Sequence, residues 1–327
     1  MAHGSGGRVS HQLVHEVFQA AFDNEWLRQM GDAAILPAEE GRLALTTDSF
    51  VVSPVVFRGG DIGKLAVCGT VNDLAVSGAI PKYLTAGFII EEGFPLAQLA
   101  EIAGSMAKTA KEAGVCLVAG DTKVVEKGSA DKIFINTTGV GIIPHGRETG
   151  PAKIKPGDKI IISGTLGDHG IAIMSEREGL SFTTPVASDC APLNNFIESF
   201  MVPGVKCMRD PTRGGLATTL NELAGQAKVG MVIQEESIPV LPAVNGACGM
   251  LGLDPLYLAN EGKVIVIVDP HREIEVIDRM RQHPLGKNAQ TVGEVLTESP
   301  GLVLLETVLG ARRILGMLEG EHLPRIC

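Results

Sequence analysis

Four aspartates stand where a divalent cation and a polyphosphate could meet them. Asp48 follows a Thr46-Thr47 strand end, Asp73 follows Asn72 in a run of small residues, and Asp121 follows Ala119-Gly120 after an apolar stretch. Asp210 opens Asp210-Pro211-Thr212-Arg213-Gly214-Gly215. Mg2+ takes hard oxygen ligands and usually bridges carboxylates to nucleotide phosphates. The paired glycines let backbone N–H groups face an anion at a helix start, and the Arg213 guanidinium adds a fork of donors. Each aspartate taken singly also reads as a helix cap or turn residue. Four of them beside two glycine-rich turns favour a Mg-nucleotide site. Glu261, in Asn260-Glu261-Gly262-Lys263, precedes the most apolar run and reads as a base, a ligand or a solvated turn carboxylate. Lys123 either faces the same pocket as Asp121 or is a surface lysine.

Cys327 is the last residue. A thiol at the tip of a flexible tail can carry a group as a thioester or thiocarbamate; otherwise it is an incidental exposed thiol. The other five cysteines (68, 116, 190, 207 and 248) show no C-x-x-C spacing, so neither a zinc site nor a dithiol redox motif is indicated, and they read as small core residues. Familiar nucleotide loops fail. Gly59-Gly60-Asp61-Ile62-Gly63-Lys64-Leu65 is one residue short of a Walker A loop, and Gly139-Val140-Gly141 lacks the third glycine of a dinucleotide fingerprint. His11 and His15, four apart, could share a metal or be two partly exposed histidines on one helix.

The elements that must place these residues alternate. Helices are expected over Gln12–Phe22, Asp61–Ser77 and Pro95–Ala113, and strands over Leu43–Thr47, Lys82–Ile90, Val115–Ala119 and Lys132–Ile143. Three prolines and three glycines in residues 144–157 mark a boundary. Beyond it, helices are expected near Gly170–Arg177, Leu193–Phe200, Gly215–Ala227 and Arg272–Arg281. Strands are expected near Lys159–Ser163, Met231–Gln234, Lys263–Val268, Ala289–Val295 and Leu302–Leu305. This is an α/β or α+β chain with domains at 1–148 and 149–318. Residues 319–327, which lack periodicity and contain Gly320 and Pro324, are expected to form a mobile tail.

Composition bounds the function. The 327 residues carry a net charge of −10 and few aromatics, which argues against binding to DNA, RNA or anionic lipid. No apolar stretch reaches membrane-spanning length and the first residues lack a signal-peptide core, so a soluble cytoplasmic protein is expected.

Four segments, His3–Gly7, Val71-Asn72-Asp73-Leu74-Ala75, Ala119-Gly120-Asp121-Thr122-Lys123-Val124 and Asp210–Leu216, together with the ending Pro324-Arg325-Ile326-Cys327, resemble the HypE family of hydrogenase maturation factors. That family lies within the aminoimidazole ribonucleotide synthetase and selenophosphate synthetase superfamily. The resemblance spans the chain, and the PRIC ending is its specific part. It implies a two-domain PurM-like fold whose N-terminal sheet domain pairs in a homodimer. It implies that a carbamoyltransferase, HypF, loads Cys327, that the resulting S-carboxamide is dehydrated to a thiocyanate with ATP, and that cyanide passes to iron held by HypC and HypD for a [NiFe]-hydrogenase. Phosphorylating the amide oxygen makes it a good leaving group, Mg2+ neutralises charge, and a base takes the N–H proton. Glu261 is assigned as proton acceptor and Lys123 as charge stabiliser in the tail's pocket. ATP is expected on Asp48, Gly63, Lys64, Asn72, Asp73, Gly120, Asp121, Thr122, Asp210, Thr212, Arg213, Gly214 and Gly215, with Mg2+ on Asp48, Asp73, Asp121 and Asp210. The His3–Gly7 loop could close over the nucleotide. Another amide- or selenide-activating enzyme, or a non-catalytic thiol carrier, are the alternatives.

Overall fold

The computed structural model describes residues 3, 8–30, 33–179, 186–320 and 325–327. The proposed lid residues 4–7 and Pro324 fall outside them.

The first sheet is built from β1 (Arg42–Phe50), β4 (Ile80–Glu91), β5 (Cys116–Val125) and β6 (Ile133–Ile143), in the order β1-β6-β4-β5. Its pairs are antiparallel except β4 with β5. That parallel pair needs a crossover, which α4 (Leu96–Ala113) supplies. One face of α4 is apolar at helical spacing, with Leu99, Ile102, Ala103, Met106 and Ala110 all buried. Helix α3 (Ile62–Val76) is buried nearly all round. It lies on the inner face of the sheet, between β1 and β6 on one side and α4 on the other. Asp61 starts it: its carboxylate accepts the N–H groups of Gly63 at 2.7 Å and Lys64 at 3.0 Å, as an N-cap should. The helix expected from Gln12 is found as α1 (Arg8–Leu13), which widens into a π turn over Val14–Gln19 and closes as α2 (Ala20–Phe22).

Among the described residues the outer face of this sheet is left partly open. Leu43 and Leu45 of β1 and Ile89 of β4 are exposed there. Cross-strand partners share a face, and the register sets Gly87 opposite Asp121 and Ile89 opposite Lys123. Asp121 and Lys123 therefore stand on the outer face.

The chain crosses between Ile143 and Lys159 to a seven-stranded sheet, adding β7 (Lys159–Ile162), β8 (Val205–Arg209), β9 (Gly230–Gln234), β10 (Ile265–Val268), β11 (Gln290–Leu296), β12 (Val303–Glu306) and β13 (Arg312–Ile314). Their order is β13-β12-β9-β11-β7-β10-β8. Strand β10 is buried on both faces, as its unbroken Ile265-Val266-Ile267-Val268 run predicts. Helices α5 (Asp168–Arg177), α6 (Asn194–Phe200), α7 (Gly215–Ala227), α8 (Pro242–Leu251) and α9 (Glu273–Gln282) accompany it. The small hairpin of β2 (Val56–Phe57) and β3 (Gly60–Asp61) runs into α3. Among the described residues, no helix is long and apolar enough to cross a membrane.

Candidate active site

A cavity of about 690 Å³ opens where the two sheets face each other. Strand β1 alternates, so Thr46, Asp48 and Phe50 point inward. Asp73, in the last turn of α3, meets them there and accepts the Thr46 hydroxyl at 2.9 Å. Asp210, just past β8, joins from the other sheet, and Thr212 and Arg213 follow it onto the wall. Arg213 lies 3.8 Å from Asp48, with 77% of its side chain exposed. The three carboxylates crowd one another. Burial, then the Asp73 charge, pushes Asp48 up to about 6; the same two causes push Asp210 up to about 7; burial also raises Asp73.

Glu261 and Cys327 line the same cavity. The Asn260–Lys263 turn, open in the sequence to a solvated reading, is interior: Glu261 is 2% exposed and Asn260 fully buried. A distant residue holds it there. The Asp189 carboxylate accepts from Glu261 N at 3.0 Å, Gly262 N at 3.3 Å and Lys263 Nζ at 3.1 Å. Burial opposes charge on Asp189, but Lys263 and these N–H groups overcome it and hold its pKa down. Gly262 is required by this closeness, because a Cβ there would lie 1.9 Å from the Asp189 carbonyl oxygen. The Glu261 carboxyl has the opposite surroundings. Its Oε1 has no hydrogen-bond partner among the described residues. Burial, then Cys190, Asp189, Asp210 and Asp48, raise its pKa well above the carboxylate range.

The end of the chain, expected to be mobile, is packed in this structure. Ile326 is buried in the same apolar core as the residues of α3, and Cys327 packs against that cluster. Arg325 pairs with Asp131 and donates to Val51 O at 2.9 Å. Burial first, then the nearby Glu261, push the Cys327 thiol up to about 12.

Several expected site residues are elsewhere. Strand β5 does not end at Ala119 but runs on through Gly120, Asp121, Thr122 and Lys123, paired with β4. Asp121 and Lys123 pair with each other at 3.0 Å on the outer face, with 70% and 65% of their side chains exposed. They do not join the other three aspartates in this chain, and Lys123 does not line the tail's pocket. Gly120, Asp121 and Thr122 border a second cavity, of about 240 Å³, under the N-terminal helix. The Gly63 N–H is spent on the Asp61 cap, and Lys64 donates to Gly59 O at 2.9 Å, so neither reaches the aspartates. Asn72 is buried scaffolding. It donates to Glu261 O at 3.2 Å and accepts from Leu193 N at 2.7 Å, fixing the Glu261 turn from behind. Gly214 and Gly215 open α7 at φ +69° and +61°, and Gly215 packs against the Leu256 and Leu258 carbonyls rather than on the cavity wall. Sequence reasoning missed Asp189, His169 and Arg177, whose roles depend on partners far along the chain. His11 and His15 hold no metal cluster among the described residues.

Comparison with known proteins decides the family. The AIR synthase related protein N-terminal domain matches residues 30–143 and its C-terminal domain matches residues 155–304. The carbamoyl dehydratase HypE of Cupriavidus necator is 54% identical over 330 residues, covering 100% of this chain and 94% of that protein. The chain belongs to the HypE carbamoyl dehydratase family. A crystal structure of hydrogenase maturation protein HypE in complex with ATP is similar with a TM-score of 0.96 at 48% identity, covering 100% of this chain and 99% of that one. HypE in a HypE–HypF complex is similar with a TM-score of 0.83 at 53% identity, covering 94% of this chain and 99% of that one. The two-domain PurM-like fold follows from these matches.

Proposed function

We infer that this chain is an ATP-dependent carbamoyl dehydratase that turns an S-carboxamide on Cys327 into a thiocyanate, supplying cyanide for [NiFe]-hydrogenase maturation. The observation that carries the reading is that Cys327 and Glu261 line one cavity with Asp48, Asp73 and Asp210. The overall conversion balances: the carboxamide loses its oxygen and two N–H protons, and ATP yields ADP and phosphate. HypF, found with a HypE in a complex, is the loading partner, and iron held by HypC and HypD is the acceptor. ATP supply suits a cytoplasmic setting.

Mg2+ fits the donor set. Three mutually repelling carboxylates are relieved by a hard cation, and Mg2+ needs only one or two of them because water and phosphate complete its shell. Asp48, Asp73 and Asp210 would hold it, and when bound it neutralises charge on the transferring phosphoryl group. Arg213 and Thr212, at the cavity mouth, orient the phosphate oxygens. In its ionised form Glu261 accepts the amide proton at Oε1, the atom without a hydrogen-bond partner among the described residues. A carboxylate held in such surroundings is a stronger base than one in water. The packed tail keeps water from the activated carboxamide. Intact-protein mass spectrometry tests the reading: with HypF, carbamoyl phosphate and ATP, an adduct on Cys327 should convert to thiocyanate only with Mg-ATP. Conversion without Mg-ATP, or with Cys327 unmodified, would end it.

Lys123 serves the site of a second copy in this reading. The cavity wraps the β1 edge, with Leu43, Leu45 and Ser49 on its wall. A copy pairing sheet to sheet would cover the exposed leucines and bring its own Asp121 and Lys123 to that rim. Co-expressed Lys123→Ala and Cys327→Ala chains, each inactive alone, should then recover roughly a quarter of wild-type sites, the statistical share in mixed dimers. No recovery would place Lys123 in its own chain's reaction or in none.

A further inference from the structure

The last three residues are gripped through their main chain, by α5 and by the Val51–Ser53 segment. Arg325 O accepts from Ser53 N at 3.2 Å and from Arg177 Nη2 at 2.8 Å. Ile326 O faces His169 Nε2 at 2.9 Å. Cys327 O accepts from Val51 N at 3.2 Å. Each of the three carbonyls thus has a partner on the body of the protein. Arg177 also donates to Ser53 O, through Nε at 3.0 Å and Nη2 at 2.8 Å, so one guanidinium clips the tail to the segment it runs beside.

The imidazole of His169 is fully buried. Its Nδ1 lies 2.8 Å from Ser188 Oγ, and that oxygen already accepts from Cys190 N at 3.1 Å. A carbonyl oxygen can only accept, so the ring hydrogen sits on Nε2, aimed at Ile326 O, and in the neutral ring Nδ1 accepts the Ser188 hydroxyl. Phe57 meets the ring edge-on at 5.6 Å between centroids. Asp189, next in sequence to Ser188, is the residue that holds the Glu261 turn. One short turn thus fixes both the tail and the carboxyl that faces it.

We propose that His169 and Arg177 are positioning residues that dock the C-terminal segment, through the Ile326 and Arg325 carbonyls, and so present the sulfur of Cys327 to the cavity. The assignment rests on the dehydratase reading above and adds which groups hold the tail in. Loading by a partner needs the segment out, whereas dehydration needs it in. Weakening the dock must therefore move the two steps in opposite directions.

The test uses full-length protein and two variants, His169→Phe and Arg177→Gln. Native alkylation of Cys327 by iodoacetamide, followed by peptide mass mapping, should be about tenfold faster in each, the usual effect of losing a buried hydrogen bond. Carbamoylation by HypF should be as fast or faster, while single-turnover thiocyanate formation from pre-loaded protein slows by a similar factor. His169→Gln, which keeps an N–H donor, should fall between. An Arg177→Gln protein that melts like the wild type and is alkylated at the wild-type rate would overturn the proposal, and it decides the matter if His169→Phe does not fold. Equal loss of loading and dehydration would overturn it as well. If wild-type protein makes no thiocyanate while alkylation still responds to both variants, the dehydratase reading fails and the docking assignment stands.

Discussion

Glu261→Gln is expected to slow thiocyanate formation by about 10²–10⁴-fold, the usual worth of a general base, while carbamoylation of Cys327 proceeds normally. The substitution keeps the shape of the side chain and leaves the turn's main-chain bonds to Asp189 intact, so the reacting thiol should still dock. Loaded protein should accumulate as the carboxamide and be visible by intact mass. Conversion at the wild-type rate would remove Glu261 from the chemistry. The same variant should be more stable than the wild type at neutral pH. Glu261 has its folded-state pKa raised, by burial first, well above the ordinary 4.5. Above that ordinary value the unfolded chain ionises freely and the folded chain only at higher pH, so the group costs stability increasingly until the folded group ionises too. Gln carries no such cost. The gap in melting temperature between variant and wild type should therefore open from about pH 4.5 upward and close below it.

Asp73→Asn should cut ATP-dependent turnover of loaded protein by at least about a hundredfold, because an amide is a poor ligand for a hard cation and the charge needed beside the phosphates is gone. It should not weaken the fold. The Asn carbonyl can still accept from Thr46, and removing the charge relieves Asp48 and Asp210, both raised in part by Asp73. A gain of about 1 kcal/mol is expected, in line with other sites where function keeps like charges together. Turnover under saturating Mg-ATP and a thermal melt measure the two effects. Turnover within a few-fold of wild type would take Asp73 out of the nucleotide site.

The elements were largely legible in the sequence because their signals are local. Helix α4 shows its apolar spacing with Pro95 before it and Gly114 after it, and β10 announces itself as an unbroken apolar run. The convergence of Asp48, Asp73 and Asp210 was also readable from carboxylates placed near the ends of adjacent elements. The position of Asp121 was not. Gly120-Asp121 has the composition of a turn, but pairing with β4 outweighs that tendency and carries the strand on to Val125, which turns Asp121 and Lys123 outward. The burial of Glu261 was not legible, because its turn is polar and leaves a solvated carboxylate open beside a base or a ligand. What buries it is Asp189, 72 positions away, and no pattern within one segment reveals such a partner. His169 was hidden for the same reason: its bond to Ile326 spans 157 positions. Lys64 and Asn72 look like ligands in a motif, yet in space their polar groups are already engaged by Gly59, Ala191 and Glu261.

Burial of the terminal sulfur carries a last consequence. With its pKa pushed up to about 12 by burial and by Glu261, the docked thiol is almost wholly protonated at neutral pH, and only a thiolate attacks. While seated, the group is therefore inert toward stray electrophiles. It becomes nucleophilic only on leaving its niche for water, where an ordinary cysteine ionises several pH units lower. In the proposed reaction, acquiring cargo and processing it would thus be kept apart without any separate gate, since the seat that allows one chemistry silences the other.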